Sequence, residues 1–266
     1  VLTPSPVAAA AEELGLTVIK AARLDDDATA RITALDADLG VIVAYGGIVR
    51  EPLLSAPSHG WINLHFSLLP AWRGAAPVQR ALIAGDARLG VSVFQLVPAL
   101  DAGDVFAMRT VEIPSDTTAD TALGILAEDG AGLTADVVAG IADGSAVAVP
   151  QQGESSLAPK LALEDGYLDW SQPLSAVFSR YRGVTPEPGA HTTVDGARLK
   201  ILSAAPASDG TALAPGEIQG NKAAVLIGTA DGALEVTRVQ PAGKGAMNAA
   251  DWWRGLRADQ SVRAGS

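Results

Sequence analysis

The sequence predicts a two-domain chain, an α/β domain built on parallel βα units followed by a small all-β barrel. Three observations carry that prediction. The first half alternates short apolar runs with helical patterns, residues 145–165 lose periodicity, and the rest offers short apolar strands separated by Pro, Gly, Asp and Asn. At 266 residues, 48% hydrophobic and 18% charged, the chain is long enough for two cores. The expected boundaries are 1–145 for the α/β domain, 146–165 for a linker and 166–266 for the barrel.

Ser5-Pro6 reads as a helix cap followed by Pro at the first helical position, leading into Ala8–Leu14. Thr17–Lys20 reads as a short strand, Asp27–Asp36 as a helix, and Gly40–Gly46 as a buried apolar strand closed by Gly46-Gly47. Trp61–His65 is another strand, and the period of two places Asn63 and His65 on one face. Pro77 opens a helix through Ala84; Gly90–Val97 and Val105–Ile113 are strands, and Ala119–Ile141 is a long Ala- and Leu-rich helix. Pro150–Ser156 is polar and turn-rich, the centre of the linker. Beyond it, Ala197–Leu202, Ala223–Ile227 and Ala233–Val239 read as strands, and only Asn248–Leu256 as a helix.

The net charge of −11 argues against a polyanionic partner, yet it is unevenly spread. Residues 161–266 hold ten Lys or Arg against eleven Asp or Glu, net −1, so residues 1–160 carry −10. The second domain has room for a local basic face. There is no cysteine, which excludes disulfides and thiolate metal sites, and a count of three histidines argues against a His-rich zinc site. No apolar run approaches the roughly 20 residues of a membrane span. The expectation is a soluble, cytoplasmic protein with no membrane contact and no metal.

Asn63, His65 and Asp101 are the residues whose types and placing point to chemistry. The Asn-x-His pair ends a strand in an open α/β sheet, where ligands sit outside the carboxyl ends of strands. Asp101 follows the apolar run Val97–Leu100 and is expected to be less solvated than Asp104. A carboxylate near His65 would raise the imidazole pKa and fix its orientation. Ser67 lies in a Leu-Leu-Pro loop, not in a Gly-x-Ser-x-Gly elbow. What remains is an amide, an imidazole and a carboxylate, parts suited to passing an acyl group from one nitrogen to another without a covalent enzyme intermediate. The loop Ser67–Pro77, stiffened by two prolines and a glycine, reads either as a plain connection or as a rigid wall that presents backbone donors and apolar side chains to a flat heterocycle.

The run Asn63–Asp86 and the turn Leu100–Asp104 resemble the methionyl-tRNA formyltransferase family of folate-dependent enzymes. The likeness continues at Val1–Val7, Leu168–Ser171, Arg182–Ala190 and Gln240–Met247, so it covers essentially the whole chain. The resemblance implies a Rossmann-like formyltransferase domain, a small OB-like barrel, and transfer of a formyl group from 10-formyltetrahydrofolate to the amino group of methionyl initiator tRNA. It implies Asn63, His65 and Asp101 as the catalytic trio, Ser67, Leu68, Leu69 and Pro70 as the folate loop, and Tyr45, Gly46 and Ile48 as further pterin wall. Arg73, Arg180, Arg182, Arg198, Lys200 and Lys244 are the candidate tRNA contacts, on a protein expected to be a monomer.

Family members open with a strand, a Gly-Thr-Pro turn, a second strand and a basic loop, so this chain is expected to lack the first strands of its sheet and to expose an apolar edge. His191 and the pair Trp252-Trp253 are expected to be structural. Two rivals stay open at this point: a relative using the same site on a sugar-nucleotide or glycinamide amine, and a remnant that binds folate or tRNA without turnover.

Overall fold

The computed structural model describes residues 5–208, 213–256 and 262–266, so part of the Val1–Val7 stretch lies outside the described residues. Helix α1 spans Pro6–Glu13 with the Ser5 side chain accepting from the Ala8 N–H, and α2 spans Asp26–Thr33 with Asp25 accepting from Ala28. Thr17–Lys20 forms no strand; Val18 and Ile19 are half-buried but have no ladder partner among the described residues. Local β propensity without a neighbouring strand does not make one.

Strand β1 (Gly40–Val43), β2 (Trp61–His65), β3 (Leu89–Gln95) and β4 (Val105–Val111) form one sheet in that order. β1 and β2 are parallel, as the βα reading expects, but β2–β3 and β3–β4 are antiparallel, so the sheet is mixed. The reason lies in the excursion between β2 and β3. It includes the Ser67–Ala76 loop and helix α3 (Pro77–Ala84), and it leaves and re-enters the sheet at the same end, pairing His65 with Ser92. Helix α4 (Ala119–Asp143) ends on Gly144 in the left-handed conformation.

The period of two along β2 divides its side chains. Ile62 and Leu64 enter a core with Val78, Leu82, Val91, Val93, Leu126 and Leu133, contributed by α3, β3 and α4. Burial of each Leu or Ile in such a core is worth about 1.5–3 kcal/mol. Trp61 lies on the opposite face with Ile42, Val49 and Leu53, and Asn63 and His65 share that face.

The second sheet follows helix α5 (Leu174–Gly183) and is built from β5 (His191–Val194), β6 (Ala197–Pro206), β7 (Ile218–Gly220), β8 (Val225–Gly228) and β9 (Ala233–Pro241), with β10 (Met247–Asn248) pairing to β9. The all-β region anticipated from the sequence is thus a curled antiparallel sheet, a half-barrel, closed at its end by helix α6 (Ala249–Gly255). Helix α5 corrects the reading that only the final stretch is helical. Leu174, Val177, Phe178 and Tyr181 follow the i, i+3, i+4, i+7 rule after Pro173. The stretch is short and carries Val177, Phe178 and Tyr181, residue types whose propensity for helix is low.

The half-barrel core gathers Leu168, Trp170, Val177, Tyr181, Ile201 and Leu234. Trp252 is buried there and Trp253 packs against it, in keeping with a structural pair. His191 is buried, with Nδ1 3.0 Å from the Gly189 carbonyl. Across the junction, Arg80 of α3 makes a two-pronged contact with Asp165 at 2.9 and 3.1 Å. Among the described residues no helix is long and apolar enough to cross a membrane.

Candidate active site

His65 ends β2 with only 5% of its surface exposed, its ring edge-on to Phe94. Nε2 lies 2.8 Å from the Trp72 carbonyl oxygen. A carbonyl can only accept, so Nε2 carries the hydrogen and a neutral ring presents its lone pair at Nδ1. Nδ1 faces Asp101 Oδ2 at 3.8 Å. Burial pushes the imidazole pKa below its ordinary value, against the opposing pull of the Trp72 hydrogen bond and the Asp101 charge. At neutral pH the ring is therefore an unprotonated base with a carboxylate waiting beside it.

Asp101 is fixed from its own side. The Gly74 N–H donates to Asp101 Oδ2 at 2.8 Å, and the carboxylate side chain is 12% exposed while Asp104 is exposed. Two non-glycine residues beside His65 hold left-handed backbone conformations, Trp72 at φ 60° and Asp101 at φ 44°. Each such conformation costs on the order of 1–3 kcal/mol. Both deliver an oxygen to His65.

Asn63 shares the His65 face, and its Oδ1 is buried without a hydrogen-bond partner. An orphaned buried acceptor costs about 1–3 kcal/mol.

The Ser67–Pro70 loop is pinned rather than free. Ser67 donates its hydroxyl to the Ala71 carbonyl at 2.6 Å, so its proton is committed. Ser92 of β3 accepts from the Leu69 N–H at 3.1 Å and donates to the Ser67 carbonyl at 2.7 Å. Leu69 is buried with Phe94 and Val105, whereas Leu68 and Pro70 stay half-exposed. Tyr45, Gly46 and Ile48 follow β1 at the same end of the sheet as His65 and are exposed, Ile48 to 70%. A cavity of about 340 Å³ is walled by Phe66, Leu68, Trp72, Asp86 and Arg88, but none of the three chemical residues lines it. It lies beside the loop and brings no group to His65.

The basic residues are differently employed. Arg73 hydrogen-bonds Gln151 Oε1 through Nε and Nη2, at 3.2 and 2.6 Å. Arg180 donates to the Asp165 carbonyl at 3.0 Å. Arg182 lies 5.5 Å over the Phe178 ring, and burial lowers its pKa despite the pull of Asp116. Arg198 reaches His191 Nδ1 at 3.4 Å, Lys200 is half-buried and Lys244 is exposed on the β9–β10 turn.

Sequence reasoning did not single out Ser92, Gln151 or Ser156. Ser156 donates nothing to the chemistry, but its Oγ accepts from the Trp72 N–H at 2.9 Å and its carbonyl from the Arg73 N–H at 2.8 Å. Their sequence signal is only polarity within a strand or a linker, because their partners lie far away along the chain.

Residues 2–138 match the formyl transferase family, and residues 160–257 match the formyl transferase C-terminal domain. The chain belongs to the formyl transferase family, and is an enzyme of that class. It is 58% identical to the methionyl-tRNA formyltransferase of Clavibacter sepedonicus over 96% of this chain and 84% of that protein. Identity to the methionyl-tRNA formyltransferase of Leifsonia xyli subsp. xyli is also 58%, with the same coverage of 96% and 84%. In fold it resembles HypX from Aquifex aeolicus, with a TM-score of 0.72 at 22% identity over 93% of this chain and 45% of that one. It also resembles the sugar 3N-formyl transferase WlaRD, with a TM-score of 0.67 at 14% identity over 88% of this chain and 81% of that one.

Proposed function

We propose that this protein transfers a formyl group from 10-formyltetrahydrofolate to the amino group of methionyl initiator tRNA, supplying N-formylmethionyl-tRNA for translation initiation. The observation that carries the reading is the 58% identity to named methionyl-tRNA formyltransferases across both sheets. We read residues 1–145 as the catalytic domain, 146–165 as the linker and 166–266 as the tRNA-binding domain of a cytoplasmic monomer. Lys244, with Arg198 and Lys200 behind it, is the most accessible start of a phosphate-binding face. Arg73, Arg180 and Arg182 are less available, because they hold packing contacts.

The residues present suit a folate donor. The loop Ser67–Pro70 offers apolar wall through the half-exposed Leu68 and Pro70, and the exposed Tyr45, Gly46 and Ile48 extend it. The donor supplies an activated formyl carbon on nitrogen. As the methionyl amine bonds to that carbon, negative charge grows on the formyl oxygen, and the Asn63 amide N–H is the donor nearest in kind. One preorganised donor of this type is worth roughly 2.7–4 kcal/mol. His65 Nδ1 accepts the proton that the amine sheds, and the imidazolium so formed is held between the Trp72 carbonyl and the Asp101 carboxylate. The same proton is then returned to the departing folate nitrogen as the carbon–nitrogen bond breaks. Proton transfer by a placed side chain contributes about 10²–10⁴-fold.

The test is formyl transfer from 10-formyltetrahydrofolate to methionyl initiator tRNA, with elongator methionyl-tRNA and a dTDP-amino sugar as competing acceptors. Formylation of the initiator tRNA, lost in His65→Ala, is the expected result. Formylation of the sugar alone would overturn the reading.

A further inference from the structure

Gln151 uses every hydrogen-bonding valence of its side-chain amide. Nε2 donates to the Asp101 carbonyl at 2.9 Å and to the Gly103 carbonyl at 2.8 Å. Oε1 accepts from Arg73 Nε and Nη2 at 3.2 and 2.6 Å. The orientation of the amide is fixed by this chemistry, since the opposite flip would set an oxygen against two carbonyls and an NH₂ against a guanidinium. Both backbone segments it holds are tight. A β-carbon at Gly103 would collide with the Gln95 carbonyl, and Gly74, at φ 123°, lies against the Ala158 carbonyl.

The surrounding segment makes the same connections with its backbone. Val149 exchanges both N–H···O bonds with Val105, at 2.8 and 3.0 Å, as β4 begins. Ala158 N–H then donates to the Arg73 carbonyl at 2.7 Å, and the Ala76 N–H donates to the Ala158 carbonyl at 3.1 Å. Residues 149–158 thus cross from the Asp101 turn to the Arg73–Gly74 loop. These are the two pieces of chain that meet at the Asp101 carboxylate.

We propose that Gln151 is a positioning residue for the transfer reaction, which locks the Asp101 turn to the Arg73–Gly74 loop and so sets the Asp101 carboxylate opposite Nδ1 of His65. This inference rests on the formyl-transfer reading above. Gln151 touches no reacting atom. Its effect runs through the backbone of Asp101, whose left-handed conformation is held by the two carbonyl contacts.

Two variants of the whole chain test it. Gln151→Leu removes all four hydrogen bonds, and Gln151→Glu keeps a partner for Arg73 while losing both donors to the Asp101 and Gly103 carbonyls. For each, kcat and KM for both substrates are measured, with thermal unfolding and an NMR titration of the His65 ring in isotopically labelled protein. A displacement of about 1 Å at such a site costs on the order of 10²-fold. We expect kcat to fall by about that factor with KM for both substrates essentially unchanged. The His65 titration should move to lower pH, because the carboxylate that raises it has moved away. An unchanged His65 titration, or a loss confined to KM, would overturn the proposal. Unfolding of both variants would overturn it too, and would assign Gln151 to stability alone. If the parent chain formylates no methionyl-tRNA, the functional reading fails, but the titration still decides whether Gln151 sets the His65–Asp101 pair.

Discussion

The backbone N–H of Gly74 donates to Asp101 Oδ2 at 2.8 Å, and that same oxygen faces His65 Nδ1 at 3.8 Å. A glycine in the loop after β2 thereby fixes the carboxylate that the His65 imidazole faces. Gly74 sits at φ 123°, where a side chain is strained, and a β-carbon there would meet the Ala158 carbonyl at 2.8 Å. Gly74→Ala is expected to cost about 1–3 kcal/mol of stability and to lower kcat as well, because Asp101 loses its anchor. Chemical denaturation beside steady-state kinetics checks both; a variant with the parent's stability and rate would remove Gly74 from the argument.

The pH dependence follows from the neutral His65. Its pKa is lowered in the folded protein, chiefly by burial. The activity limb at acid pH should therefore lie below the ordinary histidine value of about 6.5. Asp101→Asn removes a charge that raises the pKa, so its acid limb should move lower still while kcat drops by about 10²–10⁴-fold. A limb that shifts upward in this variant would reverse the assigned sign.

Stability should carry the same signature. Well above the ordinary histidine pKa of about 6.5, His65 is neutral both folded and unfolded. As the pH falls below that value, the unfolded chain binds a proton that the buried ring refuses, so stability declines until the lowered folded pKa is reached. His65→Phe should flatten this part of the stability–pH curve, as read by urea unfolding between pH 5 and 7. A curve that keeps its slope would show that another group is responsible.

Arg80 offers a test of the junction between α3 and the segment ahead of α5. It binds Asp165 at two points and the Pro159 carbonyl at 3.0 Å. In Asp165 burial works to raise the pKa, but the Ala162 N–H and the Arg80 guanidinium outweigh it and leave the carboxyl below its usual range. Arg80→Met keeps the apolar stem and loses the charged fork, at an expected cost of about 1.5–3 kcal/mol. Calorimetry of the two proteins measures it.

The edge strand makes a prediction about solubility. Among the described residues β1 pairs only with β2, and Val41 and Val43 are 44% and 50% exposed. Exposed apolar edges invite strand pairing between molecules. Val41→Lys should reduce aggregation in light scattering while changing stability by about 0.5 kcal/mol or less. Unaltered aggregation would locate the association elsewhere.

Much of this architecture is legible in the sequence where local chemistry and tertiary packing agree. Trp61–His65 and Pro77–Ala84 are found with the bounds the sequence predicts, because apolar alternation and a helix-opening proline act within a few residues. The contrast between Asp101 and Asp104 is legible too, from the apolar run before the first. Thr17–Lys20 fails as a strand because a ladder needs a neighbour, which a single segment cannot reveal. The antiparallel entry of β3 depends on where the Ser67–Ala76 loop returns the chain, and Gln151 is invisible because its partners are the Arg73 side chain and carbonyls 48 and 50 residues away. The pairing of Trp72 and Asp101 around His65 is likewise a fact of backbone twist, which no side-chain pattern announces.

The crossing of residues 149–158 over both site loops bears on how such enzymes can be recombined. A chimera that exchanges the half-barrel at residue 145 would import a foreign strap onto the Arg73 and Asp101 turns, and would disturb the surroundings of His65 while meaning to replace only the second sheet. A seam placed just after Ala158 leaves the strap with its native sheet. Modularity in this chain therefore begins about a dozen residues later than its loss of periodicity suggests.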